Sequence, residues 1–316
     1  MGNIPLIVIV GPTSIGKTDA SISVASYING EIISADSMQV YKYMDIGTAK
    51  PSIDERQGIP HYMIDVVEPD DEFNVAIFQQ LAIQKIDDIN NRRKKAILVG
   101  GSGLYVNSIV YPMDFTEAYE DHLYRSYLYE QLSSKGKEFL YNKLERIDPD
   151  TANRLHPNDT KRIIRALEIY HITGKTMSQF KQDFNNISPP YKPLIMIGLT
   201  MERSRLYERI NKRVDTMVSN GLIDEVRSLL KMGYTKNMVS MQGLGYKEII
   251  AYLEGDCTLD DALETLKRDT RRFAKRQYTW FKRDKRIYWI NIDMFSTKSQ
   301  LTDCIISYIN EKLSSI

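Results

Sequence analysis

Eight residues near the start of the chain carry the clearest chemistry. Gly11-Pro12-Thr13-Ser14-Ile15-Gly16-Lys17-Thr18 reads G-x-x-x-x-G-K-[ST], a loop that cradles phosphates when a strand enters it and a helix leaves it. Successive backbone N–H groups converge on phosphate oxygens, the helix N-terminus adds its dipole, and Lys17 adds a full charge. The Thr18 hydroxyl is placed to hold Mg²⁺. These residues imply a di- or triphosphate ligand. Asp36 is the second candidate. It closes the apolar run Ile32-Ile33-Ser34-Ala35 and precedes Ser37-Met38-Gln39-Val40-Tyr41, a stretch dense in hydrogen-bonding groups. Position alone allows a turn aspartate or a ligand-site carboxylate. Phosphate-loop hydrolases usually carry a second strand ending in Asp that completes the magnesium site. Here Ala96-Ile97-Leu98-Val99 runs into Gly100-Gly101-Ser102-Gly103 and has no carboxylate.

The elements that position these groups follow from hydrophobic patterning. Apolar runs at Pro5–Val10, Glu31–Ser34, Tyr62–Val67, Ala96–Val99, Leu194–Leu199 and Arg286–Ile292 suit strands buried on both faces, as in a parallel sheet. Helical patterns lie between the early ones, at Lys17–Ile28, Asn74–Arg92 and Gly103–Val110. The alternation predicts an α/β fold with a P-loop NTPase-like parallel sheet core. Ligand sites form at the C-terminal ends of parallel strands, so the loops 11–18, 36–41 and 100–105 should meet there. From Glu120 to about Phe184 only helix-like segments occur, ending at the spacer Ile187-Ser188-Pro189-Pro190. One of them begins after His156-Pro157-Asn158-Asp159, where Asn158 or Asp159 can cap, and stops at Gly174. The expected organisation is a core over 1–115, an inserted all-helical subdomain over 116–190, and a return to the core with a helical C-terminal region over 191–316.

Composition narrows the class. The 316 residues are 42% hydrophobic and 26% charged, with a formal charge of +1, which excludes collagen and wholesale disorder. Two cysteines and four scattered histidines offer no zinc-type spacing. No stretch is long and apolar enough to span a membrane. The N-terminal run has no basic leader and flows directly into the glycine loop, so it reads as a strand. A cytoplasmic protein is expected.

Taken together, Gly11–Thr18, Asp36–Tyr41 with Asp45-Ile46-Gly47-Thr48-Ala49-Lys50-Pro51, and Val99–Tyr105 resemble tRNA dimethylallyltransferases (tRNA isopentenyltransferases). So do His156–Asp159 with Arg162 and Arg165–Glu168, Arg213-Val214-Asp215, Gly245-Tyr246-Lys247-Glu248 and Lys275-Arg276-Gln277-Tyr278-Thr279-Trp280-Phe281. The likeness runs over about residues 5–285 and is to the bacterial form, without a zinc-finger extension. Two departures are small: Ser14-Ile15 stands where the family has Ala-Ser, and Ser102 stands for Thr. The resemblance implies transfer of a dimethylallyl group from its diphosphate to the exocyclic amine of the adenosine just 3′ of the anticodon. In that reading Asp36 takes the proton from the amine. Lys17, Mg²⁺ on Thr18, the loop amides and Arg213 stabilise the leaving diphosphate, and Thr13 adds a hydroxyl. By spacing alone Arg213 suits a surface ion pair with Glu208 or Asp215. The resemblance further places Asp36, Ser37, Met38, Gln39, Ser102, Thr160, Lys161, Arg162, Ile163, Ile164, Arg165, Gln242, Gly245, Tyr246, Lys247, Lys275, Arg276, Gln277 and Trp280 toward tRNA. Alternatives are an enzyme prenylating free AMP, or a P-loop kinase for a small metabolite.

The charge distribution bears on the RNA. Lys267–Arg286 holds ten Lys/Arg against Asp269 and Asp284, a net +8 in twenty residues, which leaves the other 296 at −7. Positions 268, 272, 276 and 283 follow helical steps and form one basic face. Phe273, Tyr278, Trp280 and Phe281 are interleaved; they suit either base stacking or a helix core. The expected partners are the tRNA anticodon stem-loop and dimethylallyl diphosphate, with the protein a monomer and no membrane contact.

Overall fold

The computed structural model describes residues 4–111, 113, 121–179 and 190–314. The chain packs as two units, Met1–Tyr111 with Pro189–Ile316, and Pro112–Ser188. Glu120, Phe184 and the spacer residues Ile187, Ser188 and Pro189 lie outside the described residues.

The first unit is built on β1 (Leu6–Val10), α1 (Lys17–Ile28), β2 (Gly30–Ala35), β3 (His61–Tyr62), α2 (Val75–Asn91), β4 (Lys95–Gly100) and α3 (Gly103–Val110). The second unit holds α4 (His122–Lys135), α5 (Lys137–Ile147), α6 (Pro149–Ala152) and α7 (Thr160–Thr173). The chain then returns to the first unit with β5 (Leu194–Thr200), α8 (Arg203–Ser219), α9 (Leu222–Lys231), α10 (Tyr246–Leu253), α11 (Leu259–Phe281), β6 (Tyr288–Asn291) and α12 (Lys298–Ser314).

The six strands form one parallel sheet in the order β3-β2-β4-β1-β5-β6. β1 and β2 are buried at every position, β1 as its unbroken apolar run requires, and β2 with Glu31 paired to Arg92 and Lys94. Register decides where the loops emerge. Val10 pairs with Gly100 and with Gly198, and Ala35 pairs with Gly100. The C-terminal ends of β1, β2 and β4 are therefore level, and the loops beginning at Gly11, Asp36 and Gly101 leave the sheet side by side.

The run Tyr62–Val67 does not form the strand its apolarity suggests. Only His61–Tyr62 pairs with β2. Met63 and Asp65 adopt left-handed backbone (φ 61° and 54°), which ends an extended strand. The segment bends so that the N–H groups of Asp65 and Val66 donate to the carbonyls of Gln39 and Val40, and the Asp65 carboxylate accepts from Lys50 Nζ at 2.6 Å.

In the second unit Leu128, Leu140, Leu144, Ile163, Ile164 and Leu167 make one apolar core. Glu168 is buried among them and is held by Arg125 (2.8 Å), Arg165 (2.7 Å) and the Asp121 N–H (3.0 Å). α7 starts after Asp159 and ends at a left-handed Gly174. The Asp159 side chain does not cap the helix; its carboxylate pairs with Arg162 at 3.2 Å.

Candidate active site

The phosphate loop connects β1 to α1, the strand-to-helix setting its chemistry needs. Lys17 Nζ donates to the carbonyls of Gly11 (3.0 Å) and Pro12 (2.8 Å). A carboxamide from the far end of the chain ties this loop to its neighbour. The Thr13 N–H donates to Gln277 Oε1 at 2.9 Å, and Gln277 Nε2 donates to the Gly101 carbonyl at 3.0 Å. A Cβ on Gly101 would lie 2.2 Å from that Nε2, so any larger residue would displace the carboxamide from both loops.

Asp36 leads out of β2. Its Oδ1 accepts the Met38 N–H at 2.9 Å, a turn bond that fixes the carboxylate's direction. It also acts on charge, because it is the acid whose field favours the charged forms of both Lys17 and Arg213. Ser102 braces this loop: its Oγ accepts the Ser37 N–H at 3.0 Å and donates to Ser37 Oγ at 3.2 Å.

Arg213, on α8, forms no hydrogen bond or ion pair among the described residues. The surface pairing that its spacing suggested is absent, since Asp215 is taken by Lys267 at 2.8 Å. Burial lowers the Arg213 pKa, and the negative charges of Asp36 and Glu55 oppose that effect.

Three adjoining cavities converge on Arg213. The largest, about 860 Å³, is lined by Lys17, Thr18, Lys50, Arg209 and Lys212, a phosphate-suited set. The narrowest, about 90 Å³, is lined by Thr13, Lys17, Thr18, Asp36 and His61. The third, about 350 Å³, is lined by Asp36, Ser102, Gln242, Phe273 and Arg276. The geometry is a phosphate chamber and a second chamber joined by a short passage where a carboxylate, an ammonium and a guanidinium meet.

Burial lowers the Lys17 pKa from the ordinary 10.5 to about 8, with Arg213 adding to the shift and Asp36 opposing it. A bound diphosphate favours the ammonium and raises that value. Above about pH 8 binding must therefore take up a proton. We expect diphosphate affinity to fall by up to about tenfold per pH unit there, measured by titration calorimetry in buffers of differing ionisation enthalpy. Lys17→Met should bind more weakly and lose this proton uptake. Equal uptake in the variant would place the titration elsewhere.

Several residues expected near RNA serve the protein itself. Ile163 and Ile164 are 0% and 2% exposed in the core of the second unit, and Arg165 is bound to buried Glu168. Gln277 spends its amide on the two loops. Gln39 accepts from Ser34 Oγ at 2.9 Å and donates to the carbonyls of Thr48 and Ala49 at 3.3 Å each. Tyr246 is 0% exposed beneath the 45–48 loop. Together with Tyr246, the residues Ser37, Met38, Ser102, Gln242, Gly245, Lys247 and Arg276 line the third cavity. Lys161 and Arg162 are exposed at the first turn of α7, with Thr160 half-buried beside them.

The basic stretch is partly neutralised as well. Lys267 pairs with Asp215, Arg268 and Arg272 share Asp269, Arg271 donates to Asn211, and Arg286 pairs with Asp284. Among the described residues Lys275, Arg276, Lys282, Arg283 and Lys285 are exposed and have no salt bridge. Among the aromatics, Phe281 is core and Tyr278 packs edge-on against Trp289, whereas Phe273 lines the third cavity. Trp280 is 39% exposed and lies against Gly103.

Sequence reasoning passed over His61. It sits at the start of β3 and reaches the passage from a strand that no motif marks. Its Nδ1 lies 2.8 Å from the Ile59 carbonyl, which assigns the ring proton there, and its Nε2 is buried without a partner. Burial lowers its pKa, so the imidazole is neutral and Nε2 is an acceptor. The donors at the passage, the Thr18 hydroxyl and the Asp36 carboxylate, are hard oxygens. Among the described residues no group of three His, Cys, Asp or Glu could hold a metal. Such a set suits a hard divalent cation bound mainly through substrate phosphate oxygens. No helix among the described residues is long and apolar enough to cross a membrane.

Comparison with known proteins gives the family and the fold. The family described as IPP transferase matches residues 39–284. A tRNA dimethylallyltransferase of Alkaliphilus oremlandii is 52% identical over 95% of this chain and 96% of its own length. The crystal structure of the tRNA isopentenylpyrophosphate transferase from Bacillus halodurans has a TM-score of 0.72 and 44% identity, covering 98% of each chain. A eukaryotic dimethylallyltransferase, solved in crystallographic snapshots acting on tRNA, has a TM-score of 0.82 and 32% identity over 98% of this chain and 80% of that one.

Proposed function

Because the chain belongs to the IPP transferase family, we propose that it transfers the dimethylallyl group of dimethylallyl diphosphate to the exocyclic N6 amine of the adenosine 3′-adjacent to the tRNA anticodon. The observation that carries the chemistry is the passage, where Asp36, Lys17 and Arg213 meet between two chambers. The diphosphate occupies the phosphate chamber and the adenine enters through the other.

An adenine amine is a weak nucleophile because its lone pair is delocalised into the ring. As the amine nitrogen attacks the allylic carbon, its proton passes to Asp36. The C–O bond breaks with its electron pair going to the diphosphate. Lys17, Arg213 and the loop amides hold the charge that develops there. Mg²⁺, held by the Thr18 hydroxyl and the diphosphate's own oxygens, would supply further charge neutralisation when bound. The chemistry has no hydrolytic water to activate, which accounts for a β4 that ends in glycine and not in a carboxylate.

In this reading the exposed cations Lys275, Arg276, Lys282, Arg283 and Lys285 contact the RNA backbone, Lys161 and Arg162 supply contacts of their own, and the target base leaves its stack to reach Asp36. The same reading takes the enzyme to act as a monomer in the cytoplasm. Phosphate tracking makes affinity salt-dependent. Arg276→Ala should weaken tRNA binding and flatten the slope of log affinity against log salt by about one; an unchanged slope would remove Arg276 from the phosphate contacts. To test the acceptor, unmodified tRNA and AMP are offered together with labelled dimethylallyl diphosphate. Label in the tRNA supports this reading, and label in AMP alone overturns it.

A further inference from the structure

Glu225 touches none of the three cavities, yet it is the most heavily bonded carboxylate near them. It lies in the first turn of α9. Its Oε2 accepts the N–H groups of Asp45 (2.9 Å) and Ile46 (2.7 Å). Its Oε1 accepts the Gly47 N–H (3.1 Å) and the Tyr246 hydroxyl (2.7 Å). Three successive amides thus wrap one carboxylate, a concave arrangement that backbone forms around an anion.

The turn so held is closed by the Lys50 and Ala49 N–H groups donating to the carbonyls of Asp45 and Ile46. Its underside rests on the Tyr246 ring, where a Cβ on Gly47 would come within 2.5 Å. Its other residues face the cavities. Ala49 and Pro51 line both the phosphate chamber and the passage, and Thr48 lines both the passage and the acceptor chamber. One turn therefore forms part of the wall of all three spaces, and α9 sets its position.

We infer that Glu225 is a positioning residue for the transfer reaction, fixing the 45–48 turn so that the passage has the width and alignment the diphosphate and the amine require. This rests on the reading of the site given above. The role depends on an acceptor at both oxygens, because three of the four partners are backbone amides that can only donate. Glu225→Gln is close in shape but turns an NH₂ toward at least one of those N–H groups, so it should fall well short of the wild type. A packing role would be restored by glutamine.

The test measures binding of inorganic diphosphate by calorimetry, tRNA binding, melting temperature, and kcat and KM for dimethylallyl diphosphate. For Glu225→Gln we expect diphosphate affinity to fall and KM to rise by about tenfold, and kcat/KM to fall by about a hundredfold, with tRNA affinity unchanged. Mere loss of folded protein lowers apparent kcat and leaves KM alone. If the Glu225 variants do not fold, Gly47→Ala displaces the same turn against Tyr246 and should raise KM likewise. Wild-type diphosphate affinity in Glu225→Gln, or wild-type KM in Gly47→Ala, would overturn the role. A wild-type protein that binds diphosphate but transfers nothing would instead overturn the proposed reaction, and the diphosphate measurement would still decide the role of Glu225.

Discussion

Asp36→Ala should lower turnover by about 10²–10⁴-fold, the usual contribution of a positioned proton acceptor, while binding of tRNA and of dimethylallyl diphosphate persists. The effect is large because Asp36 is the one carboxylate that lines the passage among the described residues. Its only protein hydrogen bond among the described residues is to the Met38 N–H, which aims it and leaves acceptor capacity free for the amine proton. Asp36→Asn preserves the turn and the shape but not the basicity, and it should fall nearly as far. Rapid-quench single-turnover assays separate the chemical step from binding. A variant with intact chemistry would show that the amine loses its proton to water or to the leaving diphosphate.

Arg213→Ala should cost about 10²–10³ in rate, as removal of a preorganised charge stabiliser does, and should not lower the melting temperature. The two outcomes have one cause. The guanidinium is held where burial disfavours its charge, opposed in part by the negative charges of Asp36 and Glu55, and among the described residues it has no salt bridge or hydrogen bond to offset the rest. In the proposed reaction its stabilising partner is the charge that forms on the diphosphate. Removing it therefore harms catalysis and relieves the free protein. Arg213→Lys keeps a charge but not the planar fork that addresses two phosphate oxygens at once, so it should recover only part of the rate. Kinetics paired with calorimetry checks both halves. A variant that is active, or markedly less stable, would mean that Arg213 is chiefly a structural cation.

The legible and illegible parts of the site divide on a physical line. The phosphate loop is contiguous, and its glycines, lysine and threonine act through local backbone, so its reading transfers directly to the β1–α1 junction. Asp36 was findable because it ends a strand whose register places it beside Gly11 and Gly101. The residues that hold these loops in place were not findable. Gln277 bonds Thr13 across 264 residues, and Glu225 reaches the 45–47 amides from another helix. In sequence both are polar residues on amphipathic helices, the type that usually faces water. Net charge misled in a similar way. The +8 stretch is real in composition, but carboxylates and amides on the same and neighbouring elements occupy half of its cations. The Tyr62–Val67 run is apolar enough for a strand, and it bends because Asp65 engages Lys50 and its backbone pairs with the 39–40 segment.

The most direct measurement incubates the purified chain with unmodified tRNA, dimethylallyl diphosphate and Mg²⁺, then maps the digested RNA by mass spectrometry. A single adenosine, the one following the anticodon, should gain a C₅H₈ unit, diphosphate should be released in equal amount, and the Asp36→Ala protein should yield neither. An RNA that gains no mass, or gains it at another base or equally with Asp36→Ala, would contradict the proposed reaction.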